Sequence, residues 1–269
     1  MTIQKYFSSL IRRIVRNPIL YKIYEKILWN QISNGKKPEH IGIILDGNRR
    51  WASERLMLPW IGHEFGADKV EELLEWCLEL DVKTVTLYVF STENFGRSPT
   101  EVGKIMNLLE EKLIKILEDE RIYKNEIKIK AIGRTNLLPS RLQDIIHHSE
   151  EKTKKFNGHY LNIAVAYGGR AEIIDATKKI AKDVKEGKID INEIDETAIE
   201  ERLYTSHLPK PDPDLIIRTS GEERLSGFLL WQSAYSELCF LDAFWPDIRR
   251  IDLWRVIRTY QQRQRRFGH

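Results

Sequence analysis

Short apolar runs alternate with amphipathic helical patterns along most of this chain, and this alternation constrains the fold more than any other feature. Six runs have the length and composition of buried strands: His40 to Leu45, Lys83 to Phe90, Ile127 to Ile132, Tyr160 to Tyr167, Asp214 to Ile217 and Leu238 to Leu241. Patterns typical of helices separate them, at about residues 64–80, 99–121, 140–155, 170–186 and 194–205. Strands that alternate with helices pair in parallel. We therefore predict an α/β fold with an open, mostly parallel six-stranded sheet flanked by helices.

The two ends of the chain differ from its middle in charge. Residues 1–37 carry a net charge of +7 and residues 249–269 a net charge of +6, whereas the middle of the chain is acidic. Apolar stripes at Phe7 to Ile14 and Leu20 to Leu28 predict two basic amphipathic helices, because Pro18 suits the first turn of a new helix. We expect 1–37 to be a helical extension and 38–269 to be the main domain. The extension either contacts a membrane surface or a partner, or packs on the chain with its basic groups in water.

Several functional classes are excluded by composition and by motifs. No stretch of the chain is long and apolar enough for a membrane span, and mean hydropathy is −0.43. Two cysteines, Cys77 and Cys239, are too few for a disulfide framework and indicate a reducing, cytoplasmic setting. The glycine-rich phosphate loops of ATPases and dinucleotide enzymes are absent, as is the Gly-x-Ser-x-Gly elbow of hydrolases.

Polar clusters follow the predicted strands. Asp46 to Asn48, Ser91 to Asn94, Gly168 to Arg170 and Arg218 to Gly221 each come directly after an apolar run. In open parallel sheets ligands bind outside the carboxyl ends of the strands. Backbone N–H groups and Arg side chains bind phosphate oxygens, and Mg²⁺ prefers one or two carboxylates together with substrate phosphates. This pattern predicts a site for phosphate and a divalent metal.

The motifs, taken in order, resemble the cis-prenyltransferase family over about residues 38–269. They are Asp46-Gly47-Asn48-Arg49-Arg50-Trp51, Gly62-His63, Phe90-Ser91-Thr92-Glu93-Asn94-Phe95 with Arg97, Tyr167-Gly168-Gly169-Arg170, Asp214 to Glu222, Trp231 to Glu237, and Arg265-Arg266-Phe267-Gly268. The resemblance implies a homodimeric, Mg²⁺-dependent transferase. Such an enzyme adds isopentenyl diphosphate in cis to an allylic diphosphate, farnesyl or geranylgeranyl, and makes a long-chain polyprenyl diphosphate.

The resemblance also assigns residues to roles. Asp46 would hold Mg²⁺ against the allylic diphosphate, Glu237 would lie near a second metal position, and Asn94 would remove a proton or position the metal-bound diphosphate. The substrate-binding residues would be Gly47, Asn48, Arg49, Arg50, Trp51, His63, Ser91, Thr92, Glu93, Phe95, Arg97, Arg218, Arg224, Ser226, Arg266 and Gly268. Within this set Arg218, Arg224 and Ser226 would bind isopentenyl diphosphate. Asp46 and Glu93 could instead cap helices.

The carboxyl-terminal tail and three departures from the family pattern affect this assignment. The resemblance places Arg266 and Gly268 at the isopentenyl diphosphate of the partner subunit; alternatively, the tail arginines complement a helix dipole. Arg49 stands where relatives often have Gly, Glu223 where they often have His, and Pro59 where they tend to have Arg. Arg55 is our candidate for the missing phosphate contact.

A growing hydrocarbon chain requires an apolar tunnel. The two helical patterns at 64–80 and 99–121 offer apolar residues for its walls: Ala67, Val70, Leu73, Leu74, Ile105, Leu108, Leu109 and Ile116. Two other functions stay open. One is a non-catalytic subunit of a heteromeric prenyltransferase, which would lack the Asp, the Ser-x-x-Asn loop or the paired Arg that are present here. The other is an anionic-polymer or nucleic-acid binder, which the absence of a recognition motif disfavours.

Overall fold

The computed structural model describes residues 18–264, which form two compact units. One unit combines 18–37 with 248–264, and the other comprises 38–247. In chain order, the elements are α1 (Pro18–Ile32), β1 (His40–Ile44), α2 (Asn48–Glu54), α3 (Pro59–Glu79), β2 (Thr84–Ser91), α4 (Pro99–Glu118), α5 (Glu120–Lys124), β3 (Ile127–Ile132), α6 (Ser140–Thr153), β4 (His159–Tyr167), α7 (Gly169–Lys185), α8 (Glu196–Glu200), β5 (Leu215–Arg218), β6 (Glu237–Phe240) and α9 (Arg250–Gln264).

The larger unit is built on a six-stranded sheet in the order β3-β4-β2-β1-β5-β6. The central strand, β1, pairs in parallel with β2 and β5, so that Ile43 lies beside both Leu87 and Ile217. Every residue of β1 is buried, as expected where other elements cover both faces of a parallel sheet. The predicted α/β fold is confirmed, and each strand pair that the structure describes is parallel.

The predicted strands begin and end within one residue of the observed ones, whereas the helices differ more. Helix α3 starts earlier than the predicted residue 64, because Pro59 occupies its first turn. The long helix predicted for 99–121 ends at Glu118. Asp119 is extended there and its side chain accepts the Arg121 N–H at 2.9 Å, which begins α5. The pattern at 194–205 forms only the short helix α8.

The two faces of the sheet pack against different partners. Side chains alternate between the faces along each strand. On one face Ile44, Tyr88 and Ile216 pack around Phe228, and the rings of Tyr88 and Phe228 are stacked with centroids 4.8 Å apart. On the opposite face, Leu87, Leu161 and Ile163 line an apolar pocket together with side chains of α3 and α4.

In the smaller unit α1 packs along α9. The rings of Trp29 and Trp254 lie 5.4 Å apart, and Arg250 forms an ion pair with Glu25 at 3.2 Å. Leu28 and Ile32 are the buried residues of α1, whereas the apolar side chains of Ile19, Leu20, Ile23 and Ile27 are exposed. The first of the two predicted amphipathic helices, at Phe7 to Ile14, lies outside the described residues.

The division into an extension of 1–37 and a domain of 38–269 stays a prediction, and α9 belongs to the same compact unit as α1. Across residues 18–264, no helix is long and apolar enough to cross a membrane.

Candidate active site

A large pocket lies at the carboxyl ends of β1, β2, β4 and β5. Ten of the residues predicted to form the site line it: Asp46, Asn48, His63, Ser91, Thr92, Glu93, Asn94, Arg97, Arg218 and Ser226. They belong to segments up to 180 residues apart in the chain, which parallel pairing brings to one edge of the sheet. The sequence prediction of a polar site at this edge therefore corresponds to a real cavity.

Asp46 and Arg218 form the charged centre of this pocket. Arg218 ends β5, is 5% exposed and donates to Asp46 Oδ2 from Nη2 at 2.8 Å and from Nε at 3.3 Å. Arg50 Nη2 lies 3.5 Å from the same oxygen. Burial of Asp46 raises its pKa, but the hydrogen bonds from Arg218 and Ser220 and the charges of Arg218 and Arg50 outweigh burial and hold the pKa below its ordinary value. Asp46 is therefore a carboxylate across the physiological pH range.

The expected isopentenyl diphosphate residues are only partly brought together. Arg218 Nη1 donates to Ser226 Oγ at 2.8 Å and also to the carbonyl oxygen of Arg224. The side chain of Arg224 is exposed and pairs with Glu222 outside the pocket lining. Tyr88, which the sequence analysis did not single out, supports this segment because its hydroxyl donates to the Ser226 carbonyl at 3.3 Å.

The loop after β1 is tightly fitted. Gly47 has a φ of +109°, and a Cβ there would lie 2.8 Å from the Phe244 side chain, so this position requires glycine. Asp46 does not cap α2, since Gly47 is the N-cap residue of that helix and no side chain accepts a hydrogen bond there. The Asn48 carbonyl lies 2.1 Å from where a Cβ of Gly62 would stand, so α3 touches this loop directly. Asn48 Oδ1 is buried and has no hydrogen-bond partner among the described residues.

Arg50, Trp51 and Arg55 lie beside the pocket and are not among the residues lining it. Arg50 donates to Ser220 Oγ at 2.5 Å and to Glu222 at 3.2 Å. Trp51 is buried and donates from Nε1 to Asp247 at 2.7 Å. Arg55 pairs with Asp247 at 3.0 Å and stacks on Trp51, so its side chain is committed to the fold rather than to the pocket.

The second cluster joins His63 and Arg97 through Glu101, a residue that the sequence analysis missed. Glu101 is 4% exposed in the first turn of α4; its Oε1 accepts from Arg97 at 3.0 Å and lies 3.3 Å from His63 Nε2. Arg49 Nε reaches the same oxygen at 3.5 Å. Burial lowers the pKa of His63, Glu101 raises it, and the charges of Arg97 and Arg49 lower it, with a net result below the ordinary value. The His63 ring is therefore largely neutral at pH 7.

The Ser91 to Phe95 loop is held by its own hydrogen bonds. Asn94 Oδ1 accepts the Ser91 N–H at 3.1 Å, and the Ser91 side chain accepts in return from the Asn94 backbone. Phe95 lies outside the pocket lining and packs edge-on against Phe90, with ring centroids 4.9 Å apart. Glu93 lies in the first turn of this short helical segment and also lines the pocket, so both of its expected roles remain.

Glu237 does not line this pocket. Glu237 begins β6 beside Leu215, whereas Arg218 lies beside Phe240 at the carboxyl end. Within one chain, Glu237 therefore lies at the amino ends of the strands, whereas Asp46 lies at their carboxyl ends. The role of Glu237 as a metal ligand stays a prediction. Arg266 and Gly268 lie outside the described residues.

The polar pocket adjoins an apolar one between the sheet and the helices α3 and α4. Leu45, Asn48, His63 and Val89 line both. Seven of the eight residues predicted for a tunnel line the apolar pocket: Ala67, Val70, Leu74, Ile105, Leu108, Leu109 and Ile116. Leu73 is fully buried elsewhere in the core. A further apolar pocket shares Glu71, Leu74, Ile116 and Leu161 with this one and extends toward the amino ends of the strands.

The donor set around Asp46 fits a metal ion that arrives with its substrate. Between residues 18 and 264, no group of three or more His, Cys, Asp or Glu could hold a metal by itself. Mg²⁺ is commonly held by one or two carboxylates together with substrate phosphates and water. Asp46 supplies one partly exposed carboxylate in a pocket rich in Arg, which matches this arrangement.

Comparison with known proteins gives consistent matches. A family model described as "Putative undecaprenyl diphosphate synthase" matches residues 44–268. Relatives from Methanopyrus kandleri and Methanocaldococcus jannaschii are 52% and 53% identical, over 96% and 95% of this chain and 96% and 91% of theirs. Both are named tritrans,polycis-undecaprenyl-diphosphate synthase (geranylgeranyl-diphosphate specific).

Two solved structures are also similar. Lavandulyl diphosphate synthase from Lavandula x intermedia, in complex with dimethylallyl diphosphate, is 36% identical with a TM-score of 0.81 and covers 84% of this chain and 95% of that one. A probable undecaprenyl diphosphate synthase from Campylobacter jejuni is 32% identical with a TM-score of 0.69, over 87% of this chain and 100% of that one.

Proposed function

The chain belongs to the undecaprenyl diphosphate synthase family of cis-prenyltransferases, enzymes that condense isopentenyl diphosphate onto an allylic diphosphate, and on that premise we propose that its primer is geranylgeranyl diphosphate. The relatives that share half of its residues carry this specificity in their names. The repeated condensation makes a long-chain polyprenyl diphosphate.

One observation carries the proposal: a charged pocket adjoins an apolar one. The two share Leu45, Asn48, His63 and Val89. A polyprenyl diphosphate has an anionic head and a hydrocarbon chain, so it needs both environments in contact. Arg218, Arg97 and Asp46 with its metal ion suit the head, and the walls from α3 and α4 suit the chain.

The reaction breaks the allylic C1–O bond, which releases diphosphate, joins C1 to C4 of isopentenyl diphosphate and removes a proton from C2, which an oxygen of the released diphosphate can accept. Mg²⁺ held by Asp46 would supply positive charge where the leaving diphosphate develops negative charge. Arg218 and Ser226 would hold the diphosphate of the incoming substrate, and Arg97, His63 and Arg49 that of the primer. Asn94 stays our candidate near the transferred proton. Because its Oδ1 accepts the Ser91 N–H, its amide nitrogen is the group suited to donate to a diphosphate oxygen.

The Arg49 side chain is better suited than Arg55 to replace the phosphate contact that relatives have at Pro59. Arg49 reaches toward Glu101, beside His63 and Arg97. Arg55 is engaged by Asp247 and Trp51.

Incorporation of labelled isopentenyl diphosphate tests the activity and the primer together. With Mg²⁺ we expect kcat/KM for geranylgeranyl diphosphate to exceed that for farnesyl diphosphate by roughly tenfold, because the two primers differ in length and therefore in how far they fill the apolar tunnel. Chelation of Mg²⁺ should abolish incorporation with either primer. Faster elongation of farnesyl diphosphate would contradict the primer assignment. No incorporation with any primer would favour a non-catalytic subunit.

We also propose that the enzyme is a homodimer whose subunits exchange their carboxyl-terminal tails. The isopentenyl diphosphate side of the described pocket contains Arg218 and Ser226 but neither the Arg224 side chain nor Glu237. A residue from a second chain would complete it. Strand β6 is an edge strand, and Tyr235 just before it is 98% exposed, which makes this edge a suitable contact surface.

The exposed face of α1 supports a further proposal, that the enzyme is cytoplasmic and contacts the surface of an anionic membrane. Ile19, Ile23 and Ile27 recur at the spacing of one helix face and are 69%, 52% and 48% exposed. Lys22 and Lys26 lie exposed next to this stripe. Apolar side chains flanked by Lys suit insertion at the headgroups of anionic lipids.

Flotation with phosphatidylglycerol vesicles tests this contact on the full chain. We expect Ile23→Glu to lower the bound fraction about fivefold or more, because a carboxylate would enter the apolar layer and repel the anionic surface. Ile191→Glu is the matched control, since Ile191 is 68% exposed on the other compact unit. If wild type fails to float, or if Ile23→Glu floats as well as wild type, α1 is not the contact.

A further inference from the structure

Glu101 is a buried carboxylate whose partners are all cationic or titratable groups of the candidate site. Its Oε1 accepts from Arg97 Nη1 at 3.0 Å, lies 3.3 Å from His63 Nε2 and is within 3.5 Å of Arg49 Nε. Arg97 Nη1 also lies 3.4 Å from His63 Nε2. One oxygen atom thus contacts side chains from α2, from α3 and from the segment before α4.

The fold does not require this carboxylate for capping α4. Ser98 caps the helix, and its Oγ accepts the backbone N–H of Glu101 at 3.3 Å. Pro99 occupies the first turn, where a missing N–H costs nothing. A carboxylate in this turn interacts favourably with the helix dipole. An exposed carboxylate would be sufficient for this interaction with the helix dipole, whereas Glu101 is buried among its three partners.

The charges of the cluster do not balance in the absence of substrate. Arg97 and Arg49 bring two positive charges against the single negative charge of Glu101. The pKa of His63 lies below its ordinary value, and burial is the largest cause. An excess of positive charge beside the pocket suits a dianionic or trianionic head group. Without Glu101, the two guanidinium groups and the His63 ring would lose their common acceptor and repel one another.

We propose that Glu101 is a positioning residue that holds Arg97, His63 and Arg49 in the arrangement that receives the allylic diphosphate. The inference rests on the proposed allylic site and identifies the residue that holds the ligands of that site in place. Glu101 does not touch the reacting atoms and acts through the three side chains that it binds. Its loss should therefore affect the primer more than isopentenyl diphosphate, whose expected ligands Arg218 and Ser226 lie on the other side of Asp46 in the sheet order.

The test is the steady-state kinetics of Glu101→Gln, which keeps the shape of the side chain and removes its charge. We expect KM for geranylgeranyl diphosphate to rise about tenfold to a hundredfold, because displaced ligands no longer match the head group. KM for isopentenyl diphosphate should stay within about twofold. Glu101→Asp should give an intermediate value. Glu110→Gln is the matched control: it lies on the same helix and pairs with Arg141 at 3.1 Å, so it should leave both KM values unchanged.

A double-variant comparison separates positioning from general loss of structure. Because Glu101 acts partly through Arg97, Glu101→Gln should raise the primer KM by a smaller factor in the Arg97→Ala background than in wild type. Thermal unfolding of each variant reports on the fold, and Glu101→Asp carries the test if Glu101→Gln does not fold. An unchanged primer KM in a folded variant, or an equal rise in both KM values, would overturn the proposal. Failure of wild type to incorporate substrate in the same assay would instead overturn the proposed function.

Discussion

Replacement of Asp46 by alanine should lower turnover by about a thousandfold or more, because several kcal/mol of transition-state stabilisation depend on the metal-bound diphosphate. Asp46 is the acidic side chain of the loop after β1, and its carboxylate is kept ionised by Arg218 and Arg50. Incorporation of labelled isopentenyl diphosphate at saturating substrates and Mg²⁺ measures the effect. Asp46→Asn should be almost as inactive, since an amide keeps the shape but not the charge.

The fold should survive this change, because Arg218 retains Ser226 and the Arg224 carbonyl as acceptors. Asp183→Ala is a matched control, because it also removes a carboxylate that pairs with an arginine: Asp183 lies 2.9 Å from Arg202, away from the pocket. We expect Asp183→Ala to change the melting temperature but keep activity near that of wild type. Activity of Asp46→Ala within tenfold of wild type would refute the assignment of Asp46 to the metal.

Mixing two inactive variants should restore activity if the subunits share their sites. Arg266→Ala lacks the tail guanidinium expected to reach the partner's isopentenyl diphosphate, and Asp46→Ala lacks the metal ligand. In a two-fold dimer that exchanges tails, one site of the mixed dimer carries both lesions and the other carries none. Random exchange should therefore restore about one quarter of the wild-type activity, since about half of the dimers are mixed and each has one intact site.

The exchange itself must be measured independently, with differently tagged subunits that are recovered together. Remixing each variant with itself is the control and should stay at its own background. If tagged mixed dimers form and activity remains at that background, the tail acts within its own subunit or has no role in the site. If no mixed species forms under any exchange condition and the mass in solution is that of a monomer, the homodimer is refuted.

The strands could be predicted from the sequence because their signal is local. Buried parallel strands are nearly continuous apolar runs, and Ile127–Ile132 was predicted with its observed bounds. The break between α4 and α5 was missed, since Asp119 was counted within a continuing helical pattern when it caps a new helix. Helix α9 was not predicted. Its buried residues, such as Trp254, Ile257 and Tyr260, are separated by arginines, so the basic charge is a stronger signal in the sequence than the apolar face.

The candidate site could be predicted as far as its residues follow strands. Asp46, Ser91 and Arg218 come together because the carboxyl ends of parallel strands meet at one edge of the sheet. Glu101 could not be predicted in this way: Ser98-Pro99-Thr100-Glu101 has the pattern of a helix cap, and its contact with His63 depends on how α3 and α4 pack. The position of Glu237 at the amino end of β6, by contrast, could be predicted, because Glu237 comes directly before the apolar run of that strand and the sheet is predicted to be mostly parallel.

The pairing of β5 with β1 has a consequence for how the protein acquires activity during synthesis. Asp46 and Arg218 are separated by 172 residues, so their ion pair forms only when β5 inserts beside the central strand. Such a long loop closes slowly, and strand pairings of this range tend to form late. A nascent chain that has emerged only through β4 already contains Asp46 and the proposed primer ligands but lacks Arg218 and Ser226. The proposed site for isopentenyl diphosphate is therefore completed in one late step, near the end of translation, after the ligands of the primer have been made.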